Sequence, residues 1–210
     1  MKYPSYLNLP KKELNSRVKK LFKILENCEI CPRKCHINRL KGTPPTYHPL
    51  ASGPLGFCRL SFLPMVSAHH PHFGEETPLV GFGGSGTIFM TSCNLSCVYC
   101  QNYEISQLRI GEEVSFERLA EMMIFFQNRG CHNINFVTPT PQVPQIVKSL
   151  AIAIDKGLKI PLVYNTSSYD SLSVLKLLDG IFDIYLPDAR YSDDKIVSLA
   201  KKAGLKRLYI

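Results

Sequence analysis

From Thr87 onward the chain alternates short apolar runs with amphipathic helical segments, and this pattern restricts the fold more than any other feature. Thr87–Ser92 (TIFMTS) is predicted as a strand. A helix follows, capped by Ser115 and running to Asn128, with Leu119, Met122, Met123 and Phe126 on its buried side and Gly130 just beyond. Asn133–Thr138 (NINFVT) is a second strand. Thr140 and Pro141 read as a cap and a first-turn proline. They open a helix through Val143, Ile146, Val147, Leu150 and Ile154, closed by Gly157. Ile160–Asn165 (IPLVYN) is a third strand and Ser171–Asp179 a short helix ended by Gly180. Ile181–Leu186 (IFDIYL) is a fourth strand, Ser192–Ala203 a fourth helix, and Lys206–Ile210 (KRLYI) the start of a fifth strand.

Such alternation implies an α/β fold of parallel strands joined by helical crossovers. About four βα units plus a fifth strand are too few to close an eight-stranded barrel. An open, partial (β/α) barrel and a doubly wound sheet both satisfy the pattern. In either, functional groups gather at the carboxyl ends of the strands.

Cysteine usage narrows the chemistry. The 210 residues include eight cysteines, and the N-terminus carries no apolar core with a small-residue cleavage site. A cytoplasmic location is expected. In a reducing compartment clustered cysteines point to metal or redox chemistry rather than disulfides. Seven fall in two groups: Cys28, Cys31, Cys35 and Cys58, then Cys93, Cys97 and Cys100. Cys131 stands alone and reads as a small buried residue.

Other readings are disfavoured. With 45% hydrophobic and 20% charged residues, the chain is too apolar for disorder. No run approaches the roughly 20 apolar residues of a membrane span. The net charge is +8, but its densest cluster (Lys11, Lys12, Arg17, Lys19, Lys20, Lys23) reads as the wet face of a helix over Lys11–Asn27, so nucleic acid is not the expected partner.

Cys93-Asn-Leu-Ser-Cys97-Val-Tyr-Cys100 follows the first strand directly and so occupies the functional edge. A structural zinc takes four ligands, and this loop offers three, so a zinc knuckle would have to borrow a fourth, such as His72. A four-iron, four-sulfur cluster held by three cysteines keeps one iron open for a substrate or cofactor.

The spacing C-x3-C-x2-C, with an aromatic before the last cysteine, resembles the signature of the radical S-adenosylmethionine (SAM) superfamily. The segments CPRKC, HFGEETPLVGFGGSGTIFMTSCNLSCVYCQNYEISQ, NINFVTPT, PLVYNTSSYDSL and DIYLPDARY are similar to a family of this superfamily described as pyruvate formate-lyase activating enzyme-like. The resemblance runs from about Cys28 to Tyr191. It implies an incomplete (β/α)6 barrel and an oxidoreductase with a [4Fe-4S] cluster on Cys93, Cys97 and Cys100. SAM is then cleaved reductively to a 5′-deoxyadenosyl radical that abstracts hydrogen. An electron donor such as flavodoxin or ferredoxin and a protein or peptide substrate follow from the same resemblance, as for an activase that makes a glycyl radical. The rival reading is a metal-binding structural or partner-binding module without SAM chemistry. It draws on the end of the sequence, because the family usually continues with further βα units.

Around the loop, Tyr99 is expected near the adenine of SAM, and Asn102 in the pocket. Thr138, Asn165 and Asp188 follow or end successive strands. Thr138 and Asn165 are expected as SAM contacts and Asp188 as a contact to substrate or a cation; capping of the next helix is the plainer alternative for all three. Arg190 stands where the family more often has lysine, which puts proton transfer there in doubt. Gly81, Gly83, Gly84 and Gly86 read either as a loop beside the cofactor or as a flexible entry.

Residues 1–86 are expected to form an N-terminal helix and a Cys/Pro/His-rich metal-binding segment, and 87–210 a radical SAM core shorter than is usual. Cys28, Cys31, Cys35 and Cys58 supply four soft ligands for zinc or an auxiliary iron–sulfur cluster, a cross-link that a proline-rich stretch with little apolar burial needs. His69, His70 and His72 with Glu75 and Glu76 read as a surface loop folded toward the active site.

Overall fold

The computed structural model describes residues 3–41 and 56–189. The predicted helix Ser192–Ala203, the strand Lys206–Ile210 and Arg190 lie outside the described residues.

Among the described residues six strands form one sheet in the order β3-β1-β2-β4-β5-β6. These are β1 (Met65–His72), β2 (Ser85–Met90), β3 (Glu112–Glu113), β4 (Asn133–Val137), β5 (Leu162–Thr166) and β6 (Ile184–Pro187). β2, β4, β5 and β6 run parallel, while β1 is antiparallel to β2 and to β3. The architecture is thus α/β with a mostly parallel sheet. Phe89 pairs with Val137, Val137 with Asn165, and Asn165 with Leu186. This register brings the carboxyl ends of four parallel strands level, and the loops that follow them share one edge.

The predicted strands and helices that fall within the described residues occur with boundaries shifted by up to about three residues, as expected where ends are set by tertiary contacts. After the single-turn helices α2 (Thr77–Val80) and α3 (Tyr103–Ser106), Ser115 caps α4 (Phe116–Asn128), its Oγ accepting from the Arg118 N–H at 3.0 Å. Thr140–Gln142 forms a 3-10 turn that leads into α5 (Val143–Asp155). Gly157 and Gly180, past the ends of α5 and α6 (Leu172–Leu177), take φ of +90° and +70°.

The core is built from these periodic faces. Leu119, Met122, Met123 and Phe126 of α4 and Ile146, Val147 and Leu150 of α5 are buried with Ile88, Ile134, Phe136, Leu162 and Tyr164 of the sheet. Helix α1 (Lys11–Ile24) packs on α5 and contributes Leu14 and Leu21 to the same core. Full burial of one such leucine is worth about 1.5–3 kcal/mol.

Two expectations need correction. The histidine run is a strand: β1 pairs along its length with β2, from Val66 opposite Met90 to His72 opposite Ser85. Pro71 is tolerated because β3 covers only Met65 and Val66, so β1 is an edge strand at Pro71. The segment after α1 also buries more than its composition suggests, since Cys28, Ile30, Cys31, Cys58, Leu60 and Arg39 are all buried.

Candidate active site

The cysteine loop leaves β2 through left-handed backbone at Ser92 (φ +75°) and turns again at Ser96 (φ +58°). Ser92 is held on both sides. Its N–H donates to the Ile105 carbonyl at 3.0 Å, and its hydroxyl to the Cys58 carbonyl at 2.5 Å. Beyond it the Cys100 N–H returns to the Cys97 carbonyl at 3.2 Å, and the Gln107 amide donates to that carbonyl at 2.8 Å.

Donors also reach the sulfurs. The Leu95 N–H points at Cys93 Sγ from 3.3 Å, and the Ser106 hydroxyl at Cys100 Sγ from 3.3 Å. Burial pushes the Cys93 thiol up, an effect that the Leu95 and Ser96 amides oppose and the nearby Cys97 and Cys100 reinforce. Hydrogen bonds of this kind are what thiolate ligands use to hold and tune a metal centre.

The loop forms one wall of a cavity of about 470 Å³ at the carboxyl edge of the sheet. Cys93, Cys97, Cys100, Tyr99, Asn102, Thr138, Asn165 and Asp188 all line it. All three cysteines, soft donors of the type an iron–sulfur cluster takes, therefore border one space. Among the described residues no three His, Cys, Asp or Glu side chains are drawn into ligand geometry around a common point.

Backbone geometry explains how the later residues arrive. Thr138 takes φ +59°, and its N–H donates to the Asn165 carbonyl at 3.0 Å, so the ends of β4 and β5 are pinned together. The Asp188 N–H donates to the Thr166 carbonyl at 2.8 Å. The helix caps lie elsewhere: Gln142 precedes α5 and Ser171 precedes α6. Capping therefore does not account for Thr138 or Asn165.

Another part of the lining comes from β1 and the turn after it, through His72, Gly74, Glu75 and Glu76. His70 stacks on Phe89 at 5.4 Å, and His72 meets the same ring edge-on at 6.4 Å. Glu75 accepts from the Asn135 amide at 2.8 Å. Burial raises the Glu75 pKa, with Glu76 adding to the effect. The glycine run lies at the other end of β2 from the cysteine loop, and none of its four glycines lines the cavity. Gly86 faces Phe126, and Gly83 lies against the Gly130 carbonyl. Gly83 and Gly86 thus allow close packing.

Thr166 and Ser167 line the cavity although neither stands out in the sequence. The polar run NTSSYD, which ends β5 and continues past it, is the available signal. Asp170 explains it by accepting from Thr140 Oγ1 at 2.7 Å, Tyr164 Oη at 2.8 Å and Thr166 Oγ1 at 2.5 Å.

Three of the N-terminal cysteines, Cys28, Cys31 and Cys58, lie within electrostatic reach of one another. A tight turn runs through Lys34 (φ +43°) and His36 (φ +53°), with the Lys34 N–H on the Cys31 carbonyl at 3.1 Å and the Cys28 N–H on the Ile37 carbonyl at 2.8 Å. Cys28, Cys31 and Cys58 are buried, and Cys35 packs against Gly56. Burial pushes the Cys31 thiol up to about 11, with Cys58 and Cys28 adding to the rise. Arg39 is wholly buried beside Cys28 and donates to the carbonyls of Leu60 (3.0 Å) and Pro141 (2.8 Å). Among the described residues no carboxylate pairs with it.

The family model of the Radical SAM superfamily matches residues 87–210. The chain belongs to the radical SAM superfamily, whose members use a [4Fe-4S] cluster and SAM. It is 32% identical over 180 residues to Uncharacterized protein MJ0674 of Methanocaldococcus jannaschii, an alignment covering 82% of this chain and 48% of that protein. The chain thus spans about half the length of this curated relative. No solved structure matches it. Among the described residues no helix is long and apolar enough to cross a membrane.

Proposed function

We propose that this chain is a radical SAM enzyme whose cluster sits on Cys93, Cys97 and Cys100, with SAM in the adjoining cavity. The observation that carries the reading is the convergence of the cysteine loop with Tyr99, Asn102, Thr138, Asn165 and Asp188 on that one cavity. With an electron from a donor such as flavodoxin or ferredoxin, the bound cluster and SAM together supply a 5′-deoxyadenosyl radical for hydrogen abstraction.

The protein's own residues bind, orient and shield. Asn165 and Thr138 sit at aligned strand ends where they can hold the polar methionine portion of SAM. Tyr99 and Asn102, on the same loop as the cysteines, suit the adenosine portion. Asp188 lines the same cavity, where it can contact substrate or a cation. Val98 and Tyr99 of the cysteine loop, both exposed, offer apolar surface beside the cysteines, which suits a protein or peptide substrate and an activase-like role. The sheet, with its aligned parallel strands, suits a partial (β/α) barrel.

The N-terminal cysteines are assigned a second metal, zinc or an auxiliary iron–sulfur cluster. The buried Arg39 supports this, because a buried cation without a carboxylate partner is costly and a thiolate at Cys28, which it contacts, would supply compensating negative charge.

Anaerobic reconstitution tests the assignment. The protein should turn brown, change its electron paramagnetic resonance spectrum when SAM is added, and release 5′-deoxyadenosine with dithionite. A Cys97→Ala protein that still released it would refute the reading. Iron bound without any response to SAM would favour a metal-binding structural or partner-binding module. Iron, zinc and sulfide analysis separates the two cysteine groups, since about four irons with zinc and about eight irons are distinct outcomes.

A further inference from the structure

The two cysteine groups, far apart in sequence, meet through an arginine. Arg33 lies in the N-terminal turn, between Cys31 and Cys35. Its Nε donates to the carbonyl of Asn94 and its Nη2 to that of Leu95, at 3.4 Å for the latter. Asn94 and Leu95 are the two residues after Cys93. The guanidinium lies over the Phe57 ring, 3.4 Å from its centroid, with the Tyr169 ring 5.9 Å away. Asn94 is buried, and its own side-chain amide donates to the Tyr169 carbonyl at 2.8 Å.

We propose that Arg33 is a positioning residue for the Cys93–Cys100 loop, holding the backbone beside Cys93 so that its sulfur faces the cavity; the proposal rests on the cluster assignment above. The chemistry favours arginine. Two adjacent carbonyls in a buried loop need donors, and a planar guanidinium supplies two in fixed relation while its face stacks on aromatic rings. A lysine ammonium can satisfy a carbonyl but cannot reproduce the fork or the stack.

A separate contact points the same way. The Ser92 hydroxyl donates to the Cys58 carbonyl at 2.5 Å. The residue before Cys93 and the two residues after it are therefore all fastened to the N-terminal cysteine segment. The loop needs such fastening, because Ser92 and Ser96 both take left-handed backbone that non-glycine residues avoid. The N-terminal segment thus acts as a brace for the cluster loop, and Arg33 is its main strut.

Thiol reactivity in the metal-free, reduced full chain tests this without a cluster. Iodoacetamide labelling is followed cysteine by cysteine by peptide mass spectrometry in wild type, Arg33→Met and Arg33→Lys. In Arg33→Met, Cys93 and Cys97 should label about tenfold faster, as loss of a charged hydrogen bond at the loop would give. Arg33→Lys should fall between. Cys131, buried at the amino end of β4, is the internal control and should not change. Equal rates for Cys93 and Cys97 in all three proteins would overturn the proposal. So would a parallel rise at Cys131, which would mean general destabilisation. Ser92→Ala, a smaller perturbation at the second contact, should give the same selective pattern if Arg33→Met folds poorly.

In reconstituted protein, Arg33→Met should lower the cluster's midpoint potential, because a nearby positive charge favours the more negative reduced state. A wild-type chain that takes up no cluster would defeat the proposed function, while the labelling comparison would still decide the role of Arg33.

Discussion

The Tyr164 hydroxyl, buried in the middle of the sheet, donates to Asp170 Oδ1 across 2.8 Å. Asp170 also accepts from Thr140 and Thr166, and so a single carboxylate ties β5 to the turn before α5 and to the loop that follows β5. Burial and this carboxylate hold the Tyr164 phenol well above its usual range, so it stays a donor. The loop carrying Asp170 also holds Asn94 through the Tyr169 carbonyl. The network therefore supports both Thr166 in the cavity wall and the cysteine loop.

Asp170→Asn should destabilise the fold by about 2 kcal/mol, since the amide replaces one acceptor oxygen with a donor group facing hydroxyls. Urea denaturation followed by circular dichroism measures it. SAM binding to the reconstituted protein should weaken as well, because Thr166 loses its support. A change smaller than a few tenths of a kcal/mol would show that the hydroxyls find other acceptors.

Gly86→Ala tests the close packing of β2 against α4. A Cβ there would come within 2.5 Å of Phe126 Cγ and 2.7 Å of Phe126 Cβ. Phe126 is fully buried and cannot step aside. The cost should be about 2–3 kcal/mol, the range for forcing an extra carbon into a filled core. The urea midpoint should fall with little change in slope. An unchanged midpoint would mean that strand and helix separate more easily than their packing implies.

What was legible in the sequence follows from how local each signal is. β2, β4, β5 and α4 announce themselves by periodicity, a serine cap and glycine stops, all within one segment. The cysteine loop is equally local, and its position after β2 places it at the right edge. β1 was hidden because MVSAHHPH neither alternates nor avoids proline, and only its pairing with β2 makes it a strand. Arg33 and Arg39 were hidden for a different reason. Arg33 reaches a partner 61 residues away and Arg39 one 102 residues away, and nothing near either residue marks the contact. Asp170 fell between, visible as part of a polar run but without a reason until its three hydroxyl donors are seen.

Glu75 should make stability depend on pH. Its pKa is raised, first by burial and then by Glu76, with His72 and the Asn135 amide acting in the opposite sense. A carboxyl whose pKa is higher when folded than when unfolded binds more protons in the native state through that interval. Its contribution is full below the ordinary glutamate value of about 4.3 and is lost as pH rises through the folded pKa. Glu75→Gln removes this dependence and keeps an oxygen for the Asn135 amide. The difference in stability between variant and wild type should therefore grow in the variant's favour as pH climbs above about 4.3. Urea midpoints from pH 4 to pH 7 read it out, and a difference that stays flat would mean that solvent screens the half-buried carboxyl completely.

Thr138→Gly sets stability against binding. Thr138 is β-branched and held at φ +59°, a conformation that costs such a residue about 1–2 kcal/mol and glycine very little. The N–H to Asn165 bond is a backbone contact and survives the substitution. The metal-free variant should therefore be more stable than wild type by about 1 kcal/mol in urea denaturation. Its hydroxyl and methyl are lost from the cavity wall, so SAM should bind the reconstituted variant up to about tenfold more weakly, by anaerobic equilibrium dialysis. Strain retained at a cavity residue and removable without harm to the fold is the pattern of a side chain kept for its ligand. Should the variant gain stability and still bind SAM as tightly as before, Thr138 would be shaping the backbone alone, and the contact would have to be sought at Asn165.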